Sequence, residues 1–286
     1  MKFRHYNKFS ITYIIAFVHA KSYNQIIMGL ESKAVLATTV YAQSELRYQR
    51  VIADLTLRTL AEARGHNHAI VVVDGGSPID YIHQMTELGA LVLPQETPGM
   101  GRARRQALKT ADDIADERAI VWLEPEKYPM VPLLDEAVDY VNSRNFDMVM
   151  FRRKSLESYP PEQMHSYQMG NLAIRYIAGI ETDFFFGPVT LSHQGVDYFL
   201  RYQSPFDDLW DSIHVPKLQI INDGLPWTQV EVDYTHPREQ TEAETGVLDL
   251  FLRRTQQMYQ LTQALLLESQ RSKTPSVDPI PLPIQA

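Results

Sequence analysis

The stretch Ala69-Ile-Val-Val-Val-Asp-Gly-Gly-Ser-Pro78 decides the predicted fold. Its uninterrupted apolar run favours a strand buried on both faces, and the Asp-Gly-Gly-Ser that follows is typical of a turn. The same alternation continues along the chain: we predict further strands at 34–40, 90–93, 119–123 and 147–151, and helices at 44–63, 79–88, 101–115 and 133–143. This alternation predicts an α/β protein with a doubly wound, mostly parallel sheet and helices on both faces.

The second half of the sequence is less regular. It contains the aromatic stretch 183–188, a strand expected at 230–232, and a long C-terminal helix expected at 240–271 with a break at Gly246. We divide the chain into an N-terminal extension (1–32), a main α/β domain (33–238), a C-terminal helical segment (239–271) and a disordered proline-rich tail (272–286). The apolar side of the last helix is expected to serve packing or homo-oligomerisation.

The composition excludes several classes of protein. The 286 residues contain no cysteine, which rules out a disulfide framework, an iron–sulfur cluster and a thiolate zinc site. A net charge of -8 and a pI near 5.6 argue against nucleic acid as a partner, because nucleic-acid binding relies on positive charge. The apolar run at 9–18 is shorter than the roughly 20 residues that cross a bilayer. We expect a cytoplasmic protein without a transmembrane span, with a secretion signal as the alternative for the first 20 residues.

Ligands of open parallel sheets bind beyond the carboxyl ends of the strands, where the connecting loops gather. Four loops at these ends carry polar residues or glycines: 38–45, 74–80, 94–105 and 124–129. In the second loop, Asp74 can accept hydrogen bonds from a base or a ribose, and the glycines after it let the backbone approach a ligand closely. A plain turn is the alternative interpretation of this motif.

The third loop leads into a helix with the sequence Gly99-Met-Gly-Arg-Ala-Arg-Arg105. Free amides at the helix start and nearby guanidinium groups suit a phosphate. The candidates for diphosphate binding are therefore Gly99, Gly101, Arg102, Arg104 and Arg105. The arginines cannot all converge, because successive residues of a helix point in different directions. A solvated basic helix face is the alternative.

The fourth loop begins with Glu124-Pro-Glu126 after an apolar strand. Residues two apart in extended backbone project to the same side, so both carboxylates can face one cation. Mg²⁺ or Mn²⁺ held by one or two carboxylates and by substrate phosphates is the arrangement that a diphosphate leaving group requires. Two solvated glutamates at a strand exit are the alternative.

Taken together, these motifs resemble the family 2 glycosyltransferases and their GT-A relatives. The Val-Asp-Asp-Gly-Ser turn of that family is similar to Val72-Val-Asp-Gly-Gly-Ser77, in which Gly75 replaces the second aspartate. The family's Gly-x-Gly-x-Ala-Arg-Asn helix start is similar to 99–105, and its Asp-x-Asp metal motif corresponds to Glu124-Pro-Glu126. The resemblance covers about residues 33–238.

The resemblance implies a metal-assisted, inverting transfer of a sugar from a nucleoside diphosphate to a hydroxyl group. The acceptor would be a small molecule, a glycan or a lipid. By the same resemblance, the donor would be bound by Thr38, Glu45, Asp74, Gly76, Ser77 and the glycines and arginines of 99–105.

The resemblance also implies the groups that perform the chemistry. Glu124, Glu126 and a late histidine, His236, would hold the Mg²⁺ or Mn²⁺. An inverting displacement needs a carboxylate to take the acceptor proton. Asp208 is the first candidate for this base, followed by Asp207 and then Asp183, with a simple helix start as the alternative for 207–208.

Two other functions remain open from the sequence. A nucleotidyltransferase on a similar sheet would release pyrophosphate rather than a nucleoside diphosphate. A protein that binds nucleotide sugars without turning them over would explain the altered Asp-x-Asp motif.

Overall fold

The computed structural model describes residues 32–42, 47–206 and 208–271. The described strands form one sheet in the order β3-β2-β1-β4-β6-β5-β7. Their bounds are β1 (Ala34–Val40), β2 (Ala69–Asp74), β3 (Leu91–Pro94), β4 (Ala119–Trp122), β5 (Met148–Arg153), β6 (Val189–Leu191) and β7 (Trp227–Val232). Neighbouring strands run parallel except at β6, which is antiparallel to β4 and β5. The predicted mostly parallel sheet is confirmed.

Helices cover both faces of this sheet. They are α1 (Arg47–Gly65), α2 (Ile79–Glu87), α3 (Met100–Ala115), α4 (Asp135–Asn142), α5 (Pro161–Ala178), α6 (His193–Arg201), α7 (Asp211–Asn222), α8 (Arg238–Glu244) and α9 (Leu248–Arg271), with a short 3₁₀ helix at Tyr128–Leu133. Successive strand residues point to opposite faces, so Val71 and Val72 enter different cores, and both are fully buried. This is why the strands are continuously apolar.

The strand register brings the loops to one edge of the sheet. The last residue of β1, Val40, pairs with Asp74, and Asp74 pairs with Pro94 at the end of β3. Trp122, the last residue of β4, pairs with Ala37 of β1. The carboxyl ends of these four parallel strands therefore lie side by side, as the sequence predicts.

The less regular region of the sequence forms elements that the strand–helix alternation does not predict. Between β5 and β7, the described residues form helices α5, α6 and α7 and the short strand β6. The long C-terminal helix expected at 240–271 is confirmed as two helices, α8 and α9, which are separated at the predicted break. The expected break at Gly246 is confirmed, since this residue has a φ of 73°, which favours glycine.

Some predictions fall outside the described residues. Glu45, Asp207, the extension up to residue 31 and the tail at 272–286 belong to this group. Within the described residues, no helix has the length and apolar character needed to cross a bilayer.

Candidate functional site

The loops after β1, β2 and β3 are joined by direct hydrogen bonds. The Gly75 amide donates to the Val40 carbonyl at 2.8 Å, and the Gln95 amide donates to the Asp74 carbonyl at 2.8 Å. The Ala42 amide donates to Ser77 Oγ at 3.0 Å. These bonds make one continuous rim from three separate loops.

Asp74 holds the turn that contains it. Its carboxylate is almost completely buried and accepts the Gly76 amide at 3.0 Å and the Ser77 amide at 3.0 Å. Gly76 has a φ of 109°, a conformation that favours glycine. Asp74, Gly76 and Ser77 thus lie together as predicted. The Asp74 carboxylate stabilises the turn by accepting these two backbone amides. Its contact with a nucleotide stays a prediction.

Thr38 lies below this rim. It is fully buried within β1, pairs with Val72 of β2, and its hydroxyl oxygen has no hydrogen-bond partner. The structure therefore places Thr38 inside the strand rather than in the loop that follows.

The three arginines at the start of α3 point in different directions, as expected. Arg102 is exposed, and its side-chain stem passes over Gly99, whose φ is 124°. Arg104 is buried: its guanidinium donates to the Leu209 carbonyl and to Ser212 Oγ, and lies 5.6 Å from the Trp122 ring centroid. Burial lowers the pKa of Arg104 to about 10, against the opposing effect of nearby carboxylates, so it stays charged at neutral pH.

The third arginine, Arg105, binds the leading candidate for the catalytic base. Its two terminal nitrogens bind the two carboxylate oxygens of Asp208 at 2.9 and 2.5 Å. The same carboxylate lies so close to Gly101 that a Cβ atom there would overlap it. Gly101 is therefore required by the close approach of Asp208. The catalytic role of Asp208 stays a prediction, and its carboxylate is already bound by Arg105.

Glu124 lies at the carboxyl end of β4 under the backbone of a second segment. A Cβ atom at Gly187 would overlap the Glu124 carboxylate, so this carboxylate lies directly against the Gly187 backbone. Oxygen Oε2 of Glu124 is buried and has no hydrogen-bond partner. A buried, unpaired carboxylate oxygen is costly unless a cation or donor meets it.

Glu126 and Lys127 form a close pair beside Glu124. The Lys127 ammonium lies 3.7 Å from Glu126 Oε1 and is almost completely buried. Burial raises the pKa of Glu126, and the positive charge of Lys127 opposes that rise. Burial would lower the pKa of Lys127, yet the Glu124 carboxylate and nearby tyrosines hold it well above its usual value.

His236 is a neutral histidine with one unpaired nitrogen. Its Nδ1 lies 2.8 Å from Thr241 Oγ1, and the Thr241 hydroxyl donates to the Ser158 carbonyl, so Nδ1 carries the proton. Burial, reinforced by the charge of Lys127, lowers the pKa of His236 to about 2. Its Nε2 is therefore an acceptor, and it is buried without a partner.

The donor atoms fit a divalent cation only in part. Glu124 Oε2 and His236 Nε2 are unpaired atoms of the kind that bind Mg²⁺ or Mn²⁺. Across the described ranges, no three histidine, aspartate or glutamate side chains are gathered closely enough to hold a metal. A metal ion bound to Glu124 would need oxygen atoms of a bound substrate, such as its phosphates, to complete the coordination. Magnesium is usually held beside phosphates in this way.

Asp183 is a fully engaged structural carboxylate. It accepts Arg153 Nε at 2.6 Å, Arg153 Nη2 at 2.8 Å, the Arg153 amide at 3.2 Å and Asn171 Nδ2 at 2.9 Å. Burial opposes ionisation, but these bonds prevail and lower the pKa of Asp183. The Arg153 guanidinium is enclosed by the Tyr159, Tyr167 and Phe186 rings, at 5.0, 3.9 and 4.3 Å. Asp183 is therefore a structural residue and is not available as a free base.

Sequence reasoning missed two buried lysines, Lys127 and Lys217. Lys127 directly follows the glutamate pair, and Lys217 lies in α7 among apolar residues. A lysine inside an otherwise apolar helical stretch is a detectable signal, because lysine is almost never fully buried without a specific partner.

Comparison with known proteins gives a likeness of structure alone. No protein-family model matches the sequence, and no curated protein matches it significantly. Among solved structures, the chain is similar to glucosyl-3-phosphoglycerate synthase from Mycobacterium tuberculosis, crystallised with Mn²⁺, uridine diphosphate and phosphoglyceric acid. Sequence identity is 14%, the TM-score is 0.56, and the match covers 86% of this chain and 81% of that one. The chain has a GT-A fold.

Two further structures give the same result. The synthase in complex with Mg²⁺ and uridine diphosphate matches at 15% identity and a TM-score of 0.53, over 87% of this chain and 83% of that one. A structure described as a mycobacterial protein matches at 14% identity and a TM-score of 0.57, over 87% and 78%. The GT-A fold predicted from the sequence is thereby confirmed, and membership of family 2 stays a prediction.

Proposed function

We propose that this protein is a metal-assisted glycosyltransferase that moves a sugar from a nucleoside diphosphate to a hydroxyl acceptor. The observation that carries the proposal is the edge of the sheet shared by three features: the Asp74 turn, the Gly99–Arg102 helix start and the unpaired Glu124 carboxylate. They lie side by side because β1 to β4 are parallel. The GT-A synthases of similar structure were crystallised with uridine diphosphate and Mn²⁺ or Mg²⁺, which supports the same ligand class here.

The donor would be bound on the β2 and α3 side of this edge. Asp74 would meet the base or the ribose, and the free amides at the start of α3 would meet the diphosphate. Arg102 is the arginine available to the diphosphate, because it is exposed while Arg104 and Arg105 bind protein groups. Arg104 instead positions the start of α7 through the Leu209 carbonyl and Ser212.

Because no three of the described histidine, aspartate or glutamate side chains are gathered together, the ion cannot be held by Glu124, Glu126 and His236 at once. We assign the Mg²⁺ or Mn²⁺ to Glu124 and Glu126, with the substrate phosphates completing its coordination, and its charge would stabilise the departing diphosphate. Arg104, Lys127 and Lys217 interact electrostatically with Glu124, so a bound ion would share this carboxylate with protein cations. Asp208 is the proposed base for an inverting attack, followed by Asp207, and Asp183 is excluded because Arg153 and Asn171 already bind its carboxylate. Arg105 holds the Asp208 carboxylate against Gly101 at the start of α3, next to the proposed diphosphate site.

A product assay tests this function. The purified full chain is incubated with a panel of nucleotide sugars, Mg²⁺ or Mn²⁺, and hydroxyl acceptors that include phosphoglyceric acid, and the released nucleotide is identified. We expect a nucleoside diphosphate. Release of pyrophosphate from a sugar phosphate and a nucleoside triphosphate would identify a nucleotidyltransferase. Donor binding without turnover under every condition would identify a binding protein.

A further inference from the structure

Lys217 is a buried lysine whose location needs a physical reason. It is fully buried on α7, where Ile213, Val215 and Leu218 around it are core residues. Burial lowers the pKa of Lys217 to about 7, against the opposing effects of Glu124 and Asp183. An apolar side chain of similar length would fill the same space without the cost of desolvating an ammonium group.

The partners of this lysine are backbone carbonyls of one short segment. Its Nζ donates to the Phe186 carbonyl at 2.7 Å and to the Phe184 carbonyl at 3.3 Å. His214 Nδ1 lies 3.5 Å from the same nitrogen, and burial lowers the pKa of His214 well below its usual value, so His214 is neutral. Lys217 thus holds the backbone of the 184–187 segment at two residues, Phe184 and Phe186, from the side of the core.

The other end of that segment lies on the candidate site. Gly187 follows Phe186 directly, and its backbone is in such close contact with the Glu124 carboxylate that a side chain there would overlap it. The Phe186 ring packs 5.3 Å from the Tyr234 ring and 4.3 Å from the Arg153 guanidinium, so the segment is also held laterally. A shift of the Phe186 carbonyl would also move the backbone of Gly187. Because the Glu124 carboxylate lies against this backbone, its orientation would change.

We propose that Lys217 is a positioning residue for the transfer reaction: by holding the carbonyls of Phe184 and Phe186, it fixes Gly187 against Glu124 and so sets the orientation of that carboxylate. The catalytic part of this inference rests on the proposed function. The structural part, restraint of the 184–187 segment, can be measured without any substrate.

The test compares Lys217→Met with Leu218→Ala, a core substitution on the same helix that leaves the lysine and its carbonyl bonds in place. Each variant is assayed as the full chain for kcat, for KM of the donor, for thermal stability, and for hydrogen exchange of the 184–187 amides. For Lys217→Met we expect kcat per folded molecule to fall on the order of 10- to 100-fold, since small displacements of catalytic groups have effects of this size. We expect exchange at 184–187 to become faster.

The control separates positioning from stability. Leu218→Ala should lower the melting temperature through a cavity while keeping kcat near the wild-type value. If Lys217→Met does not fold, Lys217→Gln, which shortens the side chain and removes its charge, takes its place. A variant with wild-type kcat per folded molecule overturns the positioning role, whatever its melting temperature.

The two proposals fail in distinguishable ways. A wild-type chain that turns over no nucleotide sugar overturns the proposed function. Faster exchange at 184–187 in the Lys217 variant would then still support the restraint, and unchanged exchange would overturn it.

Discussion

The two sides of the candidate site differ in whether their charged side chains are exposed to solvent or buried and bonded within the protein. On the α3 side, Arg102 is exposed beside a helix start whose amides have no side-chain cap. On the β5 and α7 side, Arg153, Asp183 and Lys217 are buried and bonded within the protein. The exposed arginine that can meet a ligand therefore lies on the first side, although Arg104 and Arg105 of the same helix bind protein groups. The named charges of the second side fix the geometry. Substitutions on the two sides should differ in kind, affecting donor binding on one side and stability or positioning on the other.

The largest effect is expected from breaking the buried ion pair. Asp183→Asn leaves the Arg153 guanidinium buried without its counter-charge, which should lower the free energy of unfolding by about 3–5 kcal/mol. Chemical denaturation measures this loss. Asp135→Asn, which breaks an exposed pair with Lys33, is the control and should cost about 1 kcal/mol or less.

Acid denaturation checks the same pair independently. Because the pKa of Asp183 is lowered in the folded state, its contribution to stability is complete above the ordinary carboxyl pKa of about 4 and is lost as pH falls towards the folded value. The wild-type protein should therefore lose more stability than Asp183→Asn as the pH is lowered below about 4. Parallel acid curves would contradict the structural role of Asp183.

The next effect concerns the glutamates at the end of β4. Glu124→Ala and Glu126→Ala should each lower kcat by about 100-fold or more, the scale seen when a group that stabilises developing charge is removed. Steady-state kinetics with saturating donor and Mn²⁺ measure it. Glu157→Ala, at an exposed glutamate, is the control. Unchanged activity in both β4 variants would remove them from the metal site.

A smaller effect is expected at the contact that joins the two sides. Gly187→Ala places a methyl group where the Glu124 carboxylate lies, so kcat should fall by about tenfold while the fold is retained. Gly65→Ala is a matched control, since no atom lies within 4 Å of a Cβ built there. Equal activity of the two variants would show that the Gly187 contact does not constrain Glu124.

The smallest effect is expected at the exposed arginine. Arg102→Ala should raise KM for the donor by about tenfold, the scale of one hydrogen bond to a charged group, with no loss of stability. Lys109→Ala, another exposed cation of the same helix, should leave KM unchanged. A loss of stability in Arg102→Ala with unchanged KM would reverse the proposed division between the two sides.

The first half of the fold could be predicted because its signals are local. The uninterrupted apolar runs around Val71 and Val121 mark strands buried on both faces, and the polar loops follow each strand directly. The second half depends on contacts between distant residues. Strand β6 has only three residues, and it is specified by pairing with β4 and β5 rather than by its own sequence.

The same distinction applies to the site. Asp74, Gly76 and Ser77 are neighbours in sequence, and their grouping follows from the turn motif alone. The partners of Arg105 and Arg153 could not be predicted, because Asp208 and Asp183 lie 103 and 30 residues away along the chain. The requirement for glycine at positions 101 and 187 likewise arises from distant carboxylates. The sequence pattern predicts which residues lie at this edge of the sheet. Only the folded structure shows which of their side chains are already bonded to other protein groups.

The edge formed by the Asp74 turn, the start of α3 and Glu124 is proposed to bind a nucleoside diphosphate. A crystal structure of the protein, grown with Mn²⁺ and the nucleoside diphosphate that raises its melting temperature most, tests this claim directly. We predict the diphosphate at the start of α3 within reach of Arg102, with the ion between its phosphates and the Glu124–Glu126 loop. A diphosphate bound elsewhere, such as in the polar cavity lined by Arg152, Asn171 and Thr182, would show that this edge is not the donor site.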